Sequence, residues 1–151
     1  MQYPLFSDEY FMNEALKEAK LALEKGEIPV GAVVVANQQI IARGHNSTEE
    51  LLDVTAHAEI LAITSASNNL GSKYLQDCTL YVTLEPCPMC ASATSWAQLG
   101  KIIYGTKDPK AGYSLLEGRI LHPKTEVTAG VLESECSALL SDFFKKKRGK
   151  N

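Results

Sequence analysis

Residues 56 to 105 alternate between two kinds of pattern, and this alternation constrains the fold more than any other feature. Residues 56–67 carry helical spacing, with Ile60, Leu61, Ile63 and Thr64 available for packing. Residues 79–84 form a short apolar run stopped by Pro86, residues 87–98 are again helix-compatible, and 101–105 is a second apolar run. Two buried strands separated by a helix-length segment are joined in parallel by a crossover, which is right-handed in nearly all proteins. The flanking segments complete the layers. Ser7 can cap a helix with Asp8 and Glu9 in its first turn, and Phe11, Met12, Ala15, Leu16, Ala19, Ala22 and Leu23 mark its apolar side up to Gly26. Residues 30–36 and 39–44 read as a hairpin turning at Asn37-Gln38, and a polar loop runs from His45 to Thr55. Residues 126–129 read as a short strand. A last amphipathic helix, 132–147, points Cys136, Leu139, Leu140, Phe143 and Phe144 at the core. Residues 108–123 are rich in turn formers and carry no clear periodicity. The expected fold is an α/β three-layer sandwich with a mixed central sheet, in one domain over residues 1–151.

Composition narrows the function classes. The hydrophobic share of 45% supports a real core at 151 residues, and no apolar run is long enough for a membrane span. Residues 1–7 lack the basic-then-apolar pattern of a signal peptide, which points to the cytosol. Thiols rather than disulfides are then expected at Cys78, Cys87, Cys90 and Cys136. The net charge of −3 argues against general adhesion to nucleic acid, yet Lys145, Lys146, Lys147, Arg148 and Lys150 crowd the C-terminus. Such a cluster either meets phosphates or simply solvates a helix end whose dipole favours cations.

The chemistry lies in His57-Ala58-Glu59 and Pro86-Cys87-Pro88-Met89-Cys90. Two thiolates and one imidazole suit zinc, and three protein ligands leave a fourth position for water. A spacing of three places both sulfurs on one side of a helix, and a helix N-terminus favours thiolates. Two thiolates also blunt the ion's acidifying effect on water, so a nearby base gains importance. Glu59 is the candidate, as a proton shuttle worth about 10²–10⁴-fold in rate. His57 and Glu59 are two apart and can serve one site only if the helix start faces it. Taken singly, the C-x-x-C could be a redox pair or half of a structural zinc site, and His57 a capping histidine. Cys78 and Cys136 read as packed core thiols, His45 and His122 as loop histidines.

Joined in this order, the residues match the zinc deaminase signature H-x-E…P-C-x-x-C. The chain resembles the cytidine deaminase-like superfamily, and within it the bacterial tRNA adenosine deaminases. The resemblance extends through Glu27-Ile28-Pro29-Val30-Gly31-Ala32-Val33, Leu80-Tyr81-Val82-Thr83-Leu84-Glu85-Pro86-Cys87 and Ser141-Asp142-Phe143-Phe144. It implies zinc held by His57, Cys87 and Cys90, Glu59 as shuttle, and substrate contacts from Asn46 and the Ala58 N–H. It further implies a tRNA anticodon loop as partner, RNA contacts near Asp108 and Lys110, and a homodimer. An adenosine inside such a loop must be extruded before it can react. Pro-Cys-Pro-Met-Cys followed by Trp96-Ala97 resembles the guanine deaminases of the same superfamily, so a free purine substrate stays open. A non-catalytic zinc module that binds RNA or scaffolds a partner subunit is a second alternative, although a structural zinc has no use for Glu59, and a redox C-x-x-C protein is a third.

Overall fold

A computed structural model describes residues 2–149. Met1, in the stretch read for an export signal, and Lys150 of the basic tail lie outside the described residues. The elements in order are α1 (Asp8–Glu24), β1 (Gly31–Ala36), β2 (Gln39–His45), α2 (Ala58–Leu70), β3 (Thr79–Leu84), α3 (Pro88–Trp96), β4 (Lys101–Thr106), a 3₁₀ turn (Tyr113–Leu115), β5 (Glu126–Ala129) and α4 (Glu133–Arg148).

The five strands form one sheet in the order β2-β1-β3-β4-β5. β1 pairs antiparallel with β2 and with β3, whereas β3, β4 and β5 run parallel. The mixed sheet and the β3-α3-β4 crossover are as expected from the sequence. Asn37 and Gln38 both take positive φ, 51° and 62°, the backbone that joins two twisted strands with a two-residue turn. No helix among the described residues is long and apolar enough to cross a membrane.

Side-chain alternation along the strands feeds two cores. Ala32, Val34, Leu80 and Val82 pack with Ala58, Ala62 and Ala66 of α2 and with Ala97 and Leu99 beyond α3. Val33, Val35, Tyr81 and Ile103 pack on the other side with Phe11, Met12, Ala15 and Leu16 of α1 and with Cys136 of α4. The result is the α/β/α sandwich. Ser7 caps α1 as expected, accepting the Tyr10 N–H at 3.1 Å, a bond worth about 1 kcal/mol in such positions.

Four details depart from the sequence expectation. α2 begins at Ala58 rather than Ala56, and α3 covers less than 87–98. Thr64 is exposed, because α2 packs instead through the alanines at positions 58, 62 and 66. The reason is close approach: a Cβ on Gly44 of β2 would lie 2.5 Å from the Ala58 carbonyl oxygen and 2.9 Å from the Ala62 nitrogen. A strand residue without a Cβ lets the two backbones meet there. Leu23 and Phe144 face outward instead of the core, Phe144 in an edge contact with Phe143 at 5.2 Å.

Candidate active site

Two helix starts converge on one spot. His57 is the N-cap of α2 and Cys87 the N-cap of α3, each with extended backbone. Pro88 opens α3 in the position where its missing N–H costs nothing. Cys87 follows the end of β3 by three residues, so it stands beyond the carboxyl edge of a parallel strand, where open α/β sheets place ligands.

His57 Nδ1 lies 3.6 Å from Cys87 Sγ and 3.5 Å from Cys90 Sγ. All three donor atoms fall within 4.8 Å of one another. Tetrahedral zinc bonded to one nitrogen and one sulfur sets those atoms about 3.6 Å apart, from the usual bond lengths. The donor set therefore fits a single zinc ion in both chemistry and spacing.

The local electrostatics follow from burial and proximity. The hydrogen bond from the Cys90 thiol, joined by His57, pulls Cys87 down to about 4 against its burial. That same bond and burial push Cys90 upward. His57 is raised by its contact with Cys87. Glu59 is buried beside the cluster, and desolvation lifts its carboxyl to about 7.

A pocket of about 230 Å³ opens beside these groups. Ile28, Val30, Asn46, His57, Ala58, Glu59, Leu84, Cys87, Asp108 and Ala111 contribute to its lining. It is smaller than the roughly 300–1,000 Å³ of drug-sized sites, which suits a single planar base. Asn46 is nearly buried; its Nδ2 donates to the Ile28 carbonyl at 3.3 Å, and its Oδ1 is a buried atom without a hydrogen-bond partner among the described residues. An orphan acceptor in a pocket costs about 1–3 kcal/mol until a ligand donor reaches it. Ala58 opens α2, so its N–H has no acceptor within the helix.

The structure thus brings together His57, Ala58, Glu59, Cys87, Cys90, Asn46 and Asp108. Lys110 and residues 145–148 do not line the pocket; Lys110 is exposed in the loop after β4, and the four cations form the last turn of α4. His45 ends β2 rather than sitting in a loop, with Nδ1 3.2 Å from Glu18 Oε1. His122 is a loop residue whose ring accepts the Lys124 N–H, and Cys78 and Cys136 are buried core thiols. A separate hollow of about 280 Å³ under residues 113–125 includes His122 in its lining but none of His57, Cys87 and Cys90.

Sequence reading passed over two buried glutamates. Glu27, 1% exposed, accepts the N–H groups of Glu49 and Glu50 at 3.1 and 2.8 Å. Glu85 accepts those of Asp108 and Ser114 at 3.0 Å each. The one available signal was an acidic residue set directly against an apolar strand at Glu27-Ile28-Pro29-Val30 and Leu84-Glu85-Pro86.

One histidine and two cysteines spaced for an ion, a buried carboxyl beside them and a base-sized pocket define a site of the metal-assisted hydrolase class. The model of the cytidine and deoxycytidylate deaminase zinc-binding region matches residues 6–106. The chain belongs to that deaminase family. It is 50% identical to a tRNA-specific adenosine deaminase of Bacillus subtilis (strain 168), covering 95% of this chain and 92% of that one. It is 49% identical to the tRNA-specific adenosine deaminase of Aquifex aeolicus (strain VF5), covering 93% and 95%. Among solved structures it is similar to one from studies of A-to-I editing by tRNA:A34 deaminases at the wobble position, with TM-score 0.82, 44% identity, and 87% and 99% of the two chains covered. A guanine deaminase structure from Bacillus subtilis is 41% identical with TM-score 0.64, over 67% of this chain and 65% of that one.

Proposed function

We infer that this chain hydrolyses adenosine to inosine at the wobble position of tRNA. For the chemistry, the observation that carries this reading is the meeting of His57, Cys87, Cys90 and buried Glu59 at one base-sized pocket. For the substrate, support comes from the near-full-length likeness to tRNA-specific adenosine deaminases.

His57 Nδ1, Cys87 Sγ and Cys90 Sγ would hold zinc, which supplies Lewis acidity and makes water a nucleophile near neutral pH. Glu59 moves the proton. Its carboxylate takes it from the attacking water, passes it to the ring nitrogen beside C6, and delivers a proton to the departing amine. The C6–O bond forms, the C6–N bond breaks, and ammonia leaves. Asn46 Oδ1 offers the base an acceptor, and the Ala58 N–H donates near the attacked position. Because the pocket admits a base and not a stacked loop, the adenosine must be extruded to react.

Asp108, Lys110 and residues 145–148 are assigned to the flanking RNA, the four cations of α4 through phosphate contacts. The partner set includes a second copy of the chain. Leu52, Val54 and Trp96 are 90%, 84% and 83% exposed, which is apolar surface that association would cover. The compartment proposed is the cytoplasm, where tRNA is modified. Incubation of the zinc-loaded protein with a tRNA anticodon stem-loop, and separately with free guanine, adenine and cytosine, tests the substrate. Inosine in the RNA with inert free bases is the expected result. Xanthine from guanine with untouched RNA would establish the free-purine reading, for which the guanine deaminase likeness over part of the chain speaks.

A further inference from the structure

Glu85 takes no part in the proton transfers above, yet it is 2% exposed and spends its whole carboxyl group on one loop. Oε1 accepts the Asp108 N–H and Oε2 the Ser114 N–H, each at 3.0 Å. The adjoining backbone adds two bonds, Glu85 N–H to the Thr106 carbonyl at 2.8 Å and Tyr113 N–H to the Pro86 carbonyl at 2.9 Å. Within the loop, Asp108 Oδ1 accepts the N–H groups of Lys110 and Ala111 at 3.0 Å.

Gly112 shows how tightly the loop is drawn in. Its φ of −66° and ψ of 146° suit any residue, so backbone freedom does not explain a glycine here. Space does, because a Cβ at this position would collide with the Glu85 carboxyl group. Between β4 and Ser114 the loop has only the start of a 3₁₀ turn, and Pro109, Lys110 and Ala111 are exposed. Apart from Tyr113, which packs against the core, residues 107–112 have little apolar packing, so their conformation depends on those hydrogen bonds. Glu85 itself, Asp108 and Ala111 are part of the pocket lining.

We propose that Glu85 is a positioning residue whose carboxylate fixes residues 106–114 as one wall of the substrate pocket and thereby sets substrate affinity. The kinetic part of this proposal rests on the wobble-adenosine reading; the structural part does not. Glu85→Gln keeps the shape but turns one acceptor oxygen into an NH₂ group facing an N–H donor. Gly112→Ala disturbs the same contact from the loop side and leaves the carboxylate in place.

The test uses the zinc-loaded full chain, with amide hydrogen exchange, zinc content and steady-state kinetics on an anticodon stem-loop. In both variants exchange should rise across 107–115 while β3 and β4 keep their protection, and zinc should stay at the wild-type level. KM should rise about tenfold, the equivalent of one hydrogen bond to a charged group, while kcat changes far less. Unchanged exchange across 107–115 in both variants would overturn the proposal, as would a fall in kcat at constant KM. Should Glu85→Gln fail to fold, Gly112→Ala decides alone. Should the wild type make no inosine, the wobble-adenosine reading fails and the exchange result still judges the clamp.

Discussion

Gly44→Ala tests whether the packing of α2 on the sheet sets the geometry of the site. The added Cβ would stand 2.5 Å from the Ala58 carbonyl oxygen, 2.9 Å from the Ala62 nitrogen and 3.2 Å from Leu61 Cβ. The first of these is about 0.9 Å short of an ordinary van der Waals contact, and neither the strand nor the helix backbone is a flexible neighbour. The first turn of α2 must therefore retreat by close to that distance, taking with it His57 at the N-cap and Glu59 two residues on. Overpacking of this kind costs about 1–3 kcal/mol. For a chain of this size that is a fall in Tm of roughly 2–12 °C. A displacement on the order of 1 Å at a reacting group costs about 10²-fold in rate. Thermal unfolding, zinc content and the rate of inosine formation in the stem-loop should be measured together. The expected variant is folded, binds zinc more weakly and is slowed by about 10²-fold. Wild-type Tm and wild-type rate would refute the claim that α2 is held at contact distance and positions the site.

Three further outcomes follow from the same structure. Glu59→Gln should keep zinc and lose about 10²–10⁴-fold in rate, since the ligand set is intact and only the proton carrier is gone; full activity would remove Glu59 from its role. Neutralising Lys145, Lys146, Lys147 and Arg148 should weaken stem-loop binding and flatten its salt dependence by about 0.7 in slope for each phosphate left without a cation, measured by titration at several salt concentrations; an unchanged slope would make the cluster a solvated helix end. Glu14 links stability to pH. Burial alone would raise its carboxyl, but the hydrogen bonds from Lys17 and Arg43 outweigh burial and hold it below the ordinary value of 4.5. A lowered folded value means that its stabilising effect is present above that ordinary value and fades as pH falls through the folded one. Because Arg43 is partly exposed, the effect is below about 1 kcal/mol. The Tm gap between wild type and Glu14→Gln should be present at pH 7 and close in acid; a gap that persists in acid would contradict the assignment.

The metal-type site was legible in the sequence because its determinants are local. Cys87 and Cys90 are one helical turn apart, Pro86 and Pro88 mark the entry to that turn, and His57-Ala58-Glu59 stands where a polar loop gives way to helical spacing. The layered fold was legible for the same reason, since period-two and helical patterns are written within single elements. What escaped depends on pairs of residues far apart in sequence. Nothing near Thr64 reports that Gly44 meets the α2 backbone at Ala58 and Ala62. Phe144 carries helical spacing, but α4 meets the sheet mainly through its first half, around Cys136 and Leu139. Glu27 and Glu85 are charged residues by type and buried by circumstance, each compensated by backbone N–H groups of a loop 22 to 29 residues away. The segment 108–123 gave no periodic signal because much of its order near the site comes from such a contact.

The most direct measurement is product analysis of an anticodon stem-loop incubated with zinc-loaded protein in water enriched in ¹⁸O. The account predicts inosine at the wobble position alone, carrying one heavy oxygen, with an equal amount of ammonia released. It also predicts no conversion by zinc-loaded Glu59→Gln on the same timescale. An unaltered wobble adenosine, or inosine without heavy oxygen, would contradict hydrolytic deamination at this site.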